Sequence, residues 1–288
     1  MANNINKFAK YIDLLDEVYA EASLTSVLDG DPTLTSAGAN ANELIIPKMD
    51  MDGLANYDRN GGFVEGDVTL TSETVKFNYD RGRAFSVDSM DDEETAGVAF
   101  GRLSSEFIRS KTVPEMDAFR FSEYAQKAGA TQSATFTDGE EVVAALRAAT
   151  AQMDSAEVPF DERYLFISPE VYGLVQDLDE TKSRAVLGRF AQIIMVPQGR
   201  FASAIELNDG STEGQTQGGY SKAANGKDLN FMVIHKGAVL QYPKHTVSKV
   251  IRPEDNQKAD AWKFFFRAYG LAAVLENHAE GIYAHMKA

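Results

Sequence analysis

An α+β fold is what this sequence predicts, on three observations: strand-like alternation ahead of a very long helical pattern, a middle region mixing capped helices with short apolar runs, and a strand-rich close. The 288 residues, 44% hydrophobic and 25% charged, suffice for one elaborate domain or two smaller ones. The absence of cysteine excludes a disulfide framework, thiolate metal sites and a cysteine nucleophile. A net charge of -15 argues against sequence-independent phosphate binding over a broad surface. The start, Met1-Ala2-Asn3-Asn4-Ile5-Asn6-Lys7, lacks signal-peptide regions, and no apolar run approaches the roughly 20 residues of a membrane span, so the expectation is a soluble protein made in the cytosol.

The first element is an amphipathic helix capped by Asn4, with Phe8, Tyr11, Ile12, Leu15, Val18, Tyr19 and Ala22 on one stripe and Lys10, Asp13, Glu17 and Glu21 opposite. Residues 23–43 are polar and small, an extended arm that can reach a neighbour. Leu44-Ile45-Ile46-Pro47 reads as a short strand ended by proline, and Asn60-Gly61-Gly62 as a turn. Val68 and Leu70, then Val75, Phe77 and Tyr79, alternate on either side of Thr71-Ser72-Glu73-Thr74. They predict a half-buried hairpin turning at those four residues. Little local chain is left to cover its apolar face, so the cover is expected from another copy of the protein.

From Asp91 a helical pattern runs to Gly129 through Ala96, Phe100, Leu103, Phe107, Met116, Phe119 and Tyr124, kinked at Pro114. Residues 92–128 would span roughly 55 Å as one helix, which marks a structural spine, and Gly129 is read as its C′ residue. Next, Thr137-Asp138-Gly139-Glu140 is a capping-box sequence opening a helix to about Met153. Tyr164–Ile167 is a buried strand, and Ser168-Pro169-Glu170 caps a helix bearing Val171, Leu174, Val175 and Leu178. Ile193–Val196 and Ala204–Leu207 follow as strands. Residues 208–228, rich in glycine, are expected as an exposed loop. Strands close the chain at Phe231–Ile234, Ala238–Leu240, Val247–Ile251 and Trp262–Leu275.

Few residues point to chemistry. Asp91-Asp92-Glu93-Glu94 has the composition of a cation site, but acids in a first turn complement the helix dipole and cap free amides, with Asp91 or Asp92 as cap. His235, His245, His278 and His285 lack zinc spacing, and Asp29-Gly30-Asp31 and Asp50-Met51-Asp52-Gly53 lack the full calcium-loop pattern. Arg81-Gly82-Arg83 suits phosphate or, more commonly, ion pairs with the chain's many carboxylates. No phosphate-binding glycine loop or nucleophile elbow occurs, so no catalytic residue, cofactor or metal is expected.

Taken together, Tyr57–Phe63, Tyr79–Asp88, Leu165–Tyr172 and Trp262–Tyr283 (with Arg267-Ala268-Tyr269-Gly270 and Glu276-Asn277), in this order around a long helix, resemble the major capsid proteins of tailed bacteriophages with the Hong Kong 97-type fold, also shared by encapsulins. The resemblance implies an N-terminal arm (1–43), an extended loop (about 60–80) and a peripheral domain with its spine helix (about 91–129) within 44–130, an axial domain (131–245), and peripheral return strands (246–288). It implies no enzyme, but a subunit that self-assembles as pentamers and hexamers into an icosahedral head around double-stranded DNA held without sequence-specific contacts. A separate scaffolding protein, a portal and head-decoration or head-completion proteins would be its partners, the virion its location and the host cytoplasm its place of assembly. Val68, Leu70, Val75, Phe77, Tyr79, Arg81 and Arg83 are the expected inter-subunit contacts. Lys76, the sole lysine of the hairpin, is read as a solvent-facing side chain rather than a cross-linking one. The alternatives are an encapsulin-like compartment shell and a soluble α+β enzyme without a short motif.

Overall fold

The computed structural model describes residues 23–30, 36–37, 43–94, 98–178 and 180–288; the helix expected over residues 4–22 and much of the arm lie outside the described residues. The strands, numbered along the chain, begin with β1 (Ser36–Ala37), β2 (Glu43–Met51) and β3 (Val68–Lys76), which form one antiparallel ribbon with β2 in the middle. β2 runs straight through Pro47. Pairing with β1 involves only Leu44 and Ile45, so at Pro47 the strand has a neighbour on one side only among the described residues, the edge position that proline tolerates.

The hairpin turn expected at Thr71–Thr74 is not there: these residues lie mid-strand in β3, and the ribbon turns instead through residues 52–67. Thr-Ser-Glu-Thr has no residue suited to positive φ, and its β-branched threonines favour extended backbone. The correction has a geometric consequence. In a continuous strand, Val68 and Leu70 share one face, while Val75 points to the other.

β4 (Tyr79–Asp88) then joins a second antiparallel sheet, order β11-β12-β4, with β11 (Val239–Ile251) and the 14-residue β12 (Ala261–Val274). The spine follows in pieces: α1 (Ser89–Glu94), α2 (Val98–Phe107), a π-helical turn at Ile108–Thr112, and α3 (Val113–Gln126). The cap is Asp88, whose carboxylate accepts from Met90 N–H at 3.0 Å, one turn earlier than the Asp91 or Asp92 expected. Pro114 has no N–H and its ring crowds the carbonyl of Ser110. The helix accommodates it by widening, Val113 N–H donating to Ile108 O, and runs on without a break into α3 with Pro114 in its first turn. Gly129 is not a left-handed cap. It is glycine because a Cβ there would stand 2.7 Å from the backbone of Ala279 and Glu280.

The third sheet has five strands in the order β5-β13-β10-β6-β7, where β5 is Ala130–Ser133, β6 Arg163–Ile167, β7 Gln192–Met195, β10 Leu229–His235 and β13 Ile282–Met286. Helices α4 (Gly139–Ser155), α5 (Pro169–Gln176) and α6 (Glu180–Leu187) intervene. Asp138 and Ser168 cap α4 and α5, and Glu141 reaches back to Thr137 N–H at 2.9 Å, a capping box set one residue later than the sequence pattern places it. The two faces of β10 serve two cores. Phe231 and Val233 pack with Val142, Leu146, Leu165 and Val171, whereas Met232 and Ile234, with Phe166 of β6, pack on the spine and the long sheet through Phe121 and Phe264. A strand covered on both sides reads as an unbroken apolar run, which is why Phe231–Ile234 shows no alternation.

Two boundaries therefore shift. The expected axial and peripheral segments do not divide at residue 245, because β11 starts at Val239 in the long sheet, and the last strand, β13, returns to the five-stranded sheet between β5 and β10.

The N-terminal segment is tied to the spine through a buried polar cluster. Asp117, fully buried, accepts from Ser23 Oγ (2.9 Å), Leu24 N (3.1 Å), Thr25 N (3.3 Å) and Thr25 Oγ1 (2.8 Å). Arg120 donates to Thr25 Oγ1, Arg200 to the second Asp117 oxygen at 3.5 Å, and Gln241 to Thr25 O and, by a short bond, to Asp29. A buried carboxylate is tolerated here because donors surround it.

Candidate functional site

The β2–β3 ribbon has two unlike ends. At its base Leu44 pairs with Val75, and both meet Leu271, Ala273, Leu240 and Tyr242 of the long sheet. Phe77 stacks on Tyr269 with ring centroids 5.0 Å apart, under the Lys244 ammonium at 4.5 Å. Lys48 bonds Glu276 at 2.8 Å, which holds its ammonium above the ordinary lysine value and that carboxyl below the ordinary range.

Further out, Met49 pairs with Leu70 and Met51 with Val68, four apolar side chains on one face, each 60% to 68% exposed. At the tip Leu54, Tyr57, Phe63 and Val64 are exposed as well. The tip is built: Asp58 and Gly62 exchange backbone bonds, Gly62 sits at φ 84°, the Asp58 carboxylate accepts from Asn60 N–H, and Tyr57 packs on Phe63 at 4.8 Å. The turn read at Asn60-Gly61-Gly62 is thus a real one. A contiguous apolar surface on a projecting ribbon signals a contact surface, since isolated monomers rarely carry one.

The seven expected contact residues divide accordingly. Val68 and Leu70 are exposed. Val75 and Phe77 are half-covered by their own chain, and Tyr79 is a correction: at 4% exposed it lies in its own core, its ring 5.1 Å from Phe119 and its hydroxyl donating to Glu115. Arg81 is likewise engaged within its chain, donating to Glu115 Oε1 at 2.8 Å and to Gly219 O at 3.2 Å. Arg83 is exposed and donates to Thr216 O at 3.1 Å. The reason is that β4 leaves the ribbon and runs between β12 and the spine, so its inward side chains meet α3. Outward, Asp80 pairs with Arg267 through two bonds of 2.8 and 2.7 Å, and these hold its carboxyl below the ordinary range.

Sequence reasoning missed where the glycine-rich stretch goes. It is not wholly loop: β8 (Ile205–Leu207) pairs with β9 (Tyr220–Lys222), and residues 208–219 between them bend toward β4. Asp209 organises this bend by accepting from Ser211 N–H, Thr212 N–H and the Thr212 hydroxyl, bonds that hold its carboxyl well below the usual range. Gly210, Gly214, Gly218 and Gly219 all have positive φ. Between this bend, β4 and the π turn of the spine lies a cleft of about 810 Å³. Among the described residues no group of three His, Asp or Glu side chains is placed to hold a metal, and no helix is long and apolar enough to cross a membrane.

No family model matches the sequence, nor does any curated protein. Solved structures do. The chain is similar to a structure of Gordonia phage Cozz (TM-score 0.62, 11% identity, 93% of this chain and 86% of that one) and to the capsid structure of the cyanophage P-SCSP1u (0.57, 11%, 88% and 85%). It is similar also to a crystal structure of a virus-like particle from Pyrococcus furiosus (0.56, 10%, 93% and 98%). At these identities the likeness is one of fold, and it spans 88% to 93% of this chain.

Proposed function

From the Hong Kong 97-type fold, which the chain shares with phage capsid subunits, we infer that it is a major capsid protein whose copies assemble into an icosahedral head around double-stranded DNA. The observation that carries this reading is the open apolar face of Met49, Met51, Val68 and Leu70 on a ribbon whose base is anchored in its own subunit. A second copy is the occupant such a face calls for in a shell subunit. Many modest contacts repeated around closed symmetry stabilise the whole although each interface is weak.

On this reading the ribbon, residues 43–76, is the extended loop that crosses a neighbour, and the five-stranded sheet with α4 to α6 is the core of the axial domain. Pentamers and hexamers are the expected capsomers, with a scaffolding protein, a portal and head-completion proteins as partners and the host cytoplasm as the place of assembly. The wall needs no basic lining, because the net charge of -15 keeps the subunit soluble while a packaging motor confines the DNA.

Electron microscopy of the purified chain, alone and with its neighbouring gene products, tests this. Closed shells are expected, and dispersed monomers or dimers under every assembly condition would overturn it. Nucleic acid extracted from native particles supports the phage-head reading, whereas particles holding a protein cargo and no DNA would move the chain to the compartment-shell alternative.

A further inference from the structure

Asn-Gly is the dipeptide most prone to spontaneous loss of the asparagine side-chain amide, because glycine has no side chain to hinder its nitrogen as it closes on the amide carbon. The chain holds two such pairs, Asn60-Gly61 and Asn225-Gly226. Both asparagines are exposed, so access to water does not separate them. The glycine nitrogens do.

At the ribbon tip both chain neighbours of Gly61 have engaged amides and Gly61 does not. Asn60 N–H donates to the Asp58 carboxylate at 3.0 Å and Gly62 N–H to Asp58 O at 2.7 Å, while Gly61 N–H and the Asn60 side-chain amide have no partner among the described residues. Gly226 N–H, by contrast, donates to Ala223 O at 2.8 Å. A Cβ on Gly226 would collide with Ala204 O, so this backbone is packed against the Ala204 and Ala223 carbonyls. Its hydrogen bond must open before the nitrogen can attack, and a local opening of that kind lowers the reactive population by about tenfold.

We propose that Asn60 is a site of spontaneous modification, converted in the folded subunit to aspartate and isoaspartate while Asn225 is spared. The Gly61 nitrogen, losing its proton to solvent base, bonds to Asn60 Cγ, and the side-chain nitrogen leaves as ammonia, closing a succinimide ring. Water then opens the ring. Cleavage between the Gly61 nitrogen and Cγ gives aspartate, whereas cleavage between that nitrogen and the main-chain carbonyl carbon gives isoaspartate, the chain now running through Cβ and Cγ. The net change is asparagine and water to a carboxylic acid and ammonia. Either product adds a negative charge to the turn between Tyr57 and Phe63. Isoaspartate also adds a backbone carbon to the loop that the paired bonds of Asp58 and Gly62 close. The site rests on the free Gly61 nitrogen and stands whether or not the subunit forms shells.

The full chain, held unassembled in mildly alkaline buffer at physiological temperature, tests this by peptide mapping in a mass spectrometer, with isoaspartate counted by enzymatic methylation. Asn60 should convert about tenfold or more faster than Asn225 in the native subunit, and the two rates should converge in urea, where no fold shields either. Gly61→Ala should slow Asn60 and leave Asn225 unchanged. The turn accepts that alanine because Gly61 is not at positive φ and only the Asp58 side chain must give way. Comparable native rates at the two asparagines, or a slower Asn60, would overturn the proposal, as would a Gly61→Ala subunit that converts as fast as the parent. Microscopy tests the shell reading separately, so each can fail without the other.

Discussion

β10 and β3 are strands of similar length with opposite fates. All but the last residue of Leu229–His235 is buried, each face of the strand serving a different core, whereas Val68–Lys76 has no fully buried residue and shows its apolar side chains to solvent. The first is finished by its own chain, whereas the second leaves Val68 and Leu70 open on its outer face. What they teach is that a hydrophobic strand is not by itself evidence of a core. The face each residue takes, set by parity along the strand, decides whether burial is internal.

The largest effect should fall on the finished strand. Phe231→Ala removes a fully buried ring and should cost about 3–5 kcal/mol in urea denaturation of the unassembled subunit; a loss near zero would erase the contrast. Next comes a parity test within β3. Val75→Asp, on the inward face, should cost about 1–3 kcal/mol, while Leu70→Asp, outward, should stay within about 0.5 kcal/mol yet abolish particles in electron micrographs. If both substitutions destabilise alike, the ribbon's outer face is not free.

A pH dependence sharpens the comparison from the side of the five-stranded sheet. His285 on β13 lies against the rings of both Phe136 and Phe231, its Nδ1 accepts from the Asn230 amide at 3.1 Å, and burial pushes its pKa down to about 4. The folded value lies below the ordinary 6.5, so the unfolded chain takes up the proton first. Stability from this residue is whole above about pH 6.5, drains away between 6.5 and 4, and falls no further below. Denaturation midpoints across that window should decline in the parent and decline less in His285→Leu. The smallest effect belongs to the ribbon's base. Lys48→Ala should leave the midpoint unchanged and show only as faster amide exchange in Glu43–Met51, because its partner Glu276 is mostly exposed.

Much of this architecture is written locally. The cap at Ser168, the local disturbance of the helix at Pro114 and the apolar runs at Tyr164–Ile167 and Phe231–Ile234 each carry their own signal, while the capping box comes one residue after its sequence pattern. The misread turn at Thr71–Thr74 shows the limit. Two apolar pairs of opposite parity look like one face folded back or two faces of one strand, and only the partner strand, Glu43–Met51, decides between them. Tyr79 and Arg81 were illegible for a related reason: their partner Glu115 lies more than thirty positions along the chain. The seat of the glycine-rich stretch against β4 leaves no periodic trace, because backbone carbonyls at Thr216 and Gly219 make its contacts with the arginines.

The position of β13 bears on how the subunit is born. This strand fills the gap between β5 and β10, and it leaves the ribosome after every other strand of its sheet. A nascent chain stalled before residue 282 has β10 and β5 with no partner along those edges, and Phe231 lacks its neighbours Tyr283 and His285. The five-stranded sheet can therefore close only when its last strand is in place, although β10, β6 and β7 pair without it.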